Sequence, residues 1–151
     1  KEIRLFLDGR RSYSSEVQHM LLSVNRWEKK EEIEKMLQNG TIIIMDRYYQ
    51  SNIVYGLSNG LDLNWLINLD KGLPKEDIVI ILEIDPETSY KRVNRNRDLF
   101  EKNLEFLSNV KQNYQKLSQV YNWNIINGEE TVEKIHLKTS SLVKEKLNIQ
   151  F

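Results

Sequence analysis

Apolar residues recur at helical spacing from the first positions of the chain. Ile3, Phe6 and Leu7 share one helix face, with no capping residue before them. Ser14 to Asn39 carries the same period at greater length. Ser14 or Ser15 can cap it, Val17, Met20, Leu21, Val24, Ile33, Met36 and Leu37 mark the inner face, and Asn39-Gly40 ends it, so one long helix is predicted. The charge run Glu28–Lys35 is a solvated face with pairs such as Glu31–Lys35. The period then changes. Thr41-Ile42-Ile43-Ile44-Met45 is apolar on both faces and β-branched, the pattern of a strand buried in a parallel sheet.

The alternation continues downstream. Tyr49–Leu57 and Leu61–Leu69 read as short helices, Gly72-Leu73-Pro74 as a turn, and Asp77–Ile84 as a second buried strand. Asp85-Pro86-Glu87 starts a helix to about Asn96, with Asp as N-cap and Pro at the first helical position. A longer helix runs from Asp98 to about Tyr121, followed by a short strand at Trp123–Ile126. Gly128 turns into a last helix, Thr131 to Leu147. Strands alternating with helices predict an α/β fold with a parallel, doubly wound sheet, here in one domain over residues 1–151. Three strands are few for such a sheet, and the first residue is Lys, so an upstream βαβ unit of about 30 residues or more is expected.

Composition narrows the chemistry. The 151 residues hold 22 Lys plus Arg against 22 Asp plus Glu, and a net charge of zero argues against a nucleic-acid polymer as partner. No Cys is present, which removes disulfides, thiolate nucleophiles and Cys-ligated metals and suits a reducing, cytoplasmic setting. No run is long enough to span a bilayer, so no membrane partner is expected. None of the six glycines is followed by Lys, so the sequence contains no G-x-x-x-x-G-K-[ST] loop.

Ligands of open α/β sheets sit at the carboxyl ends of strands, where Asp46-Arg47-Tyr48 falls. Asp46 there can hold a hydrated Mg²⁺ and Arg47 a phosphate; equally, the two can form a surface pair or a helix cap. Arg26, on an otherwise apolar helix, must be paired, bound to an anion or snorkelling, and snorkelling is the economical reading. Lys91, Arg92, Arg95 and Arg97 suit either a lid over transferring phosphates or a solvated helix end. His19 and His136 read as surface or core residues without a role.

The order of these elements is more specific than any one of them. Leu21-Leu22-Ser23-Val24-Asn25-Arg26-Trp27-Glu28, then Asp46-Arg47-Tyr48-x-x-Ser51-x-x-x-Tyr55, Gly72-Leu73-Pro74-x-x-Asp77, Asp85-Pro86-Glu87 and Arg92-x-x-x-x-Arg97-Asp98-x-Phe100-Glu101 closely resemble the thymidylate kinase family. The likeness is greatest to its archaeal and eukaryotic branch. It implies a P-loop nucleoside monophosphate kinase that transfers the ATP γ-phosphoryl group to dTMP with Mg²⁺, commonly as a homodimer. Residue by residue, it implies that Arg47 binds the dTMP phosphate and that Asp46 positions Mg²⁺ through water. Arg26 would lie at the thymine edge, and Leu22, Ser51, Asn52 and Tyr55 would line the nucleoside pocket. Arg92 and Arg97 would act in a lid near 92–103, Arg92 also toward ATP, and Gly128, Glu129 and Glu130 would lie near adenine.

Two departures stand out. Leu22 occupies a position where the family commonly has Phe, so stacking on thymine is lost. The phosphate-binding loop, its strand and its following helix are absent from these residues, and the 151 residues alone are expected to be inactive. The alternatives are another P-loop kinase, such as a deoxynucleoside kinase, and a non-catalytic binding module without the loop.

Overall fold

In the computed structural model, which describes residues 2–92 and 103–148, the chain divides into two units, 1–75 and 76–151. The first is helical: α1 (Glu2–Leu7), α2 (Ser15–Glu28), α3 (Lys30–Gln38), α4 (Tyr49–Ser58) and α5 (Leu63–Leu69). Ser14 is the N-cap of α2, its hydroxyl accepting from the Val17 amide at 3.5 Å. Asp62 does the same for α5, accepting from Trp65 N–H at 2.8 Å. Phe6, Ile53, Val54, Leu66 and Leu73 form the apolar core of this unit. Burial of each large side chain is worth about 1.5–3 kcal/mol. Gly56 lets α4 approach α5 closely, because a Cβ there would run into the Leu66 side chain.

Two expectations fail in this unit. Ser14–Asn39 is not one helix. Lys29 interrupts it at φ −96°, ψ −3°, and its amide bonds back to Arg26 O at 3.1 Å, a tighter turn than the α-helix allows. The break falls directly after Arg26 and Trp27, which are tied to the end of α5, whereas α3 buries no residue and follows its own direction. The second failure is Thr41–Met45, which is not a strand. A strand exists only through a paired ladder. Among the described residues no other strand pairs with this segment, and Ile44 is 94% exposed.

The second unit contains β1 (Ile80–Glu83), α6 (Pro86–Arg92), α7 (Leu104–Tyr121), β2 (Asn124–Asn127) and α8 (Val132–Leu147). β1 and β2 pair in parallel with Ile80 opposite Asn124 and Glu83 opposite Asn127, so the connection between them passes through helices as a parallel pair requires. The predicted strand Asp77–Ile84 is thus shorter, and Trp123–Ile126 shifts by one residue. Asn103 caps α7, its Oδ1 accepting from Glu105 and Phe106 amides at 2.9 and 3.3 Å. Asn122 ends the helix in the left-handed conformation at φ 55°. Val110, Leu117 and Ile126 are the buried apolar residues of this unit. Pro86 opens α6 as expected, and Thr131, read as the first residue of the last helix, is its N-cap. The predicted helix ends near Asn96 and Asp98 lie outside the described residues.

Candidate active site

Each unit carries part of the predicted set of site residues. In the first, α2 presents Arg26, and the segment before α4 presents Asp46, Arg47 and Tyr48. Arg26 and Arg47 meet at one cleft of about 280 Å³, whose wall also includes Asn25, Met36, Met45 and Tyr48. Lys29 and Glu32 also line it and pair with each other at 2.7 Å, so the two guanidinium groups, the amide and the phenol over an apolar floor can receive an anionic, planar ligand. Tyr48 is fixed by donating its hydroxyl to Pro74 O at 3.3 Å.

Arg47 has φ 68°, the left-handed region that non-glycine residues avoid. Among the described residues the other non-glycine positive φ values belong to Asn122 and Asn148, both helix C-caps, where such values are routine. Arg47 is therefore the strained residue that no helix end explains, and strain of this kind gathers at ligand sites. Its guanidinium carbon stands 5.4 Å from the centre of the Tyr55 ring, within cation–π range. Asp46 is exposed beside it.

Arg26 does not snorkel. Nε donates to Asp70 Oδ1 at 3.0 Å and Nη2 to Oδ2 at 2.7 Å, a bidentate pair with both side chains largely buried. Asp70 was not singled out by sequence reasoning. The available signal was chemical: a buried Arg demands a carboxylate, and Asp70 stands just before Gly72-Leu73-Pro74.

The remaining predicted nucleoside residues do not form the cleft wall. Leu22, Ser51 and Tyr55 are half-buried. Asn52 is buried and spends its amide on His19: Oδ1 lies 2.7 Å from the ring Nδ1, and Nδ2 donates to the His19 carbonyl at 3.3 Å. His19 is fully buried, and desolvation pushes its pKa below the ordinary imidazole value. The Asn52 hydrogen bond opposes that shift, and the nearby Arg26 cation adds to it. The buried stripe of α2 is thus Gln18, His19 and Ser23, while Val24 and Met20 of the expected inner face are exposed.

In the second unit, Arg92 donates to Gly128 O at 3.2 Å. Gly128 is a packing glycine, since a Cβ would lie 2.7 Å from Ile84 Cγ1 and 3.1 Å from Glu83 O, and its amide bonds that carbonyl at 2.7 Å. Glu129 accepts from the Asp85 amide at 3.1 Å, and Glu130 pairs with Lys138 at 2.7 Å. A second cleft of about 350 Å³ is bounded by Glu83, Asp85, Lys111, Asn127 and Glu129. Arg95 and Arg97 lie outside the described residues, as does most of the predicted lid. No group of three or more His, Cys, Asp or Glu side chains gathers to hold a metal among the described residues.

Comparison with known proteins bears on family and fold. The model of the family "Thymidylate kinase" matches residues 1–139. The thymidylate kinase of Dictyostelium discoideum is 34% identical over 140 residues, covering 93% of this chain and 63% of that protein. That of Arabidopsis thaliana is 32% identical over 145 residues, covering 96% and 54%. The chain thus spans under two thirds of the length of these two relatives. The solved structure of Candida albicans thymidylate kinase superposes with a TM-score of 0.85 at 27% identity, over 99% of this chain and 77% of that one, and carries the P-loop nucleoside monophosphate kinase fold to it. With the motifs in order, the fold shared and the family pattern matched over most of its length, the chain belongs to the thymidylate kinase family.

Proposed function

We propose that this chain supplies the acceptor and adenine sides of a kinase that transfers the ATP γ-phosphoryl group to dTMP, yielding dTDP and ADP. The observation that carries the reading is the convergence of Arg26 and Arg47 on one cleft. Arg47, on a strained backbone at the cleft wall, suits the dTMP phosphate through a guanidinium fork. Arg26, neutralised by Asp70, suits an uncharged carbonyl of the thymine edge. Leu22, Ser51, Asn52 and Tyr55 are assigned to the nucleoside by the family motif, and of these Tyr55 stands against Arg47. A deoxynucleoside kinase is disfavoured, because a guanidinium on the cleft wall suits an acceptor that carries a phosphate.

On the donor side, Gly128, Glu129 and Glu130 flank adenine. Arg92, anchored on Gly128 O, and Arg97 neutralise charge on the transferring phosphates. Mg²⁺ binds through one or two carboxylates, its own waters and substrate phosphates. The lone exposed Asp46 fits such a site by an intervening water. Bound there, the ion would offset phosphate charge; the chain's own part is to orient the acceptor. A single kinase domain, a homodimer and a cytoplasmic location complete the reading. The exposed Met20 and Val24 on α2 support a self-associating face. Among the described residues no helix is long and apolar enough to cross a membrane. Zero net charge supports small nucleotides rather than a nucleic-acid polymer as partners.

Titration calorimetry tests the acceptor assignment. dTMP should bind at least about tenfold tighter than thymidine, the worth of one charge-assisted hydrogen bond. dUMP, which keeps both ring carbonyls, should follow dTMP. Equal binding of thymidine and dTMP removes the phosphate role of Arg47, and binding of neither overturns the reading. Turnover is a separate readout. The 151 residues, having no G-x-x-x-x-G-K-[ST] loop, should release no ADP, and a form carrying that loop should release it with dTMP.

A further inference from the structure

We infer that Asp70 is a positioning residue that makes Arg26 a reader of the base rather than a second phosphate ligand; this rests on the acceptor reading above. Arg26 has five N–H donors, of which Asp70 takes the Nε–H and one on Nη2. The Nη1 donors and one on Nη2 are not taken by Asp70, and Arg26 lines the cleft. The carboxylate itself is held rigidly. The Ser23 hydroxyl lies 2.7 Å from Asp70 Oδ1 and 2.9 Å from Leu69 O, but has one proton to give. The carboxylate is the charged and the nearer acceptor, and Leu69 O also receives Trp27 Nε1–H at 2.8 Å, so the Ser23 proton goes to the carboxylate. Asp70 is 2% exposed and Arg26 13%, so water hardly competes for the pair.

Two consequences follow for recognition. First, the pair carries no net charge, so it adds little attraction for a phosphate, whereas its remaining N–H groups still donate well to a neutral carbonyl. Second, a fork locked on one side disfavours an amino group at the same place, because two donors would face each other. Asp70 thereby sets a preference for a pyrimidine with a carbonyl at the 4-position over one with an amine.

The test is titration of wild type and Asp70→Asn with dTMP, dCMP and pyrophosphate, with a thermal melt to establish folding. Wild type should prefer dTMP. In Asp70→Asn that preference should fall about tenfold, while pyrophosphate binding holds or strengthens as the Arg26 charge is released. General damage to the unit would weaken all three ligands together. Ser23→Ala, which loosens the carboxylate and keeps its charge, should lower the preference about threefold. If wild type binds dTMP and dCMP alike, the placement of Arg26 at the base fails and the inference with it. If wild type discriminates and folded Asp70→Asn discriminates equally, the role of Asp70 alone is overturned. Should Asp70→Asn not fold, an unchanged preference in Ser23→Ala overturns it.

Discussion

Acidification should loosen the first unit through His19. The amide of Asn52 donates from Nδ2 to the His19 carbonyl, so its Oδ1 faces the ring and Nδ1 must carry the proton. Nε2 is then the acceptor, with the Asn59 amide nitrogen 3.3 Å away as donor. Protonation places a second N–H on Nε2, opposite that donor, in a fully buried site with the Arg26 cation nearby. The folded-state pKa therefore lies below the unfolded value of 6.5. With fewer protons bound in the folded state, stability falls as the pH drops below 6.5. If the ring stays neutral throughout, the loss from pH 7.5 to 5.5 approaches about 1.4 kcal/mol, one proton's linkage over that interval. Urea unfolding at pH 7.5, 6.5 and 5.5 measures it, with His19→Gln as the reference that cannot titrate. A wild-type unfolding free energy that is flat over this range, or a decline of equal size in His19→Gln, would refute the reasoning.

Other expectations follow from single contacts. Gly56→Ala should destabilise by about 1–3 kcal/mol, because the added methyl meets the buried Leu66 side chain; an unchanged urea midpoint would show that α5 yields freely. Arg47→Gly should stabilise the fold by about 1–2 kcal/mol by removing left-handed strain, yet abolish detectable dTMP binding in calorimetry. Retained binding would refute the phosphate role, and lost stability would refute the strain. Asn103→Ala should cost about 1 kcal/mol, since two amides of α7 lose their acceptor; a thermal melt equal to wild type would argue that water replaces the cap.

Local signals proved legible where the chain itself supplies the partner. Ser14 and Pro86 stand where their chemistry predicts, because a cap bonds within three residues or so and a first-turn Pro needs no amide partner. Residues whose partner is distant in sequence were not legible in the same way. Thr41–Met45 has the composition of a buried strand, but composition describes willingness to pair and not the presence of a neighbour. On α2 the hydrophobic period pointed to Val24 and Met20, while the buried stripe is Gln18, His19 and Ser23. Polar groups won that face because each finds a fixed partner: Gln18 the Tyr13 carbonyl, His19 the Asn52 amide, and Ser23 the Asp70 carboxylate. Arg26 shows the limit most clearly. Electrostatics leaves pairing, anion binding or snorkelling open, with snorkelling the economical reading, yet Arg26 pairs with a carboxylate 44 residues away, a separation no helical period encodes. A charge that violates its local pattern therefore marks a position whose role waits on its partner, and the partner decides whether that charge attracts an anion or reads a neutral edge.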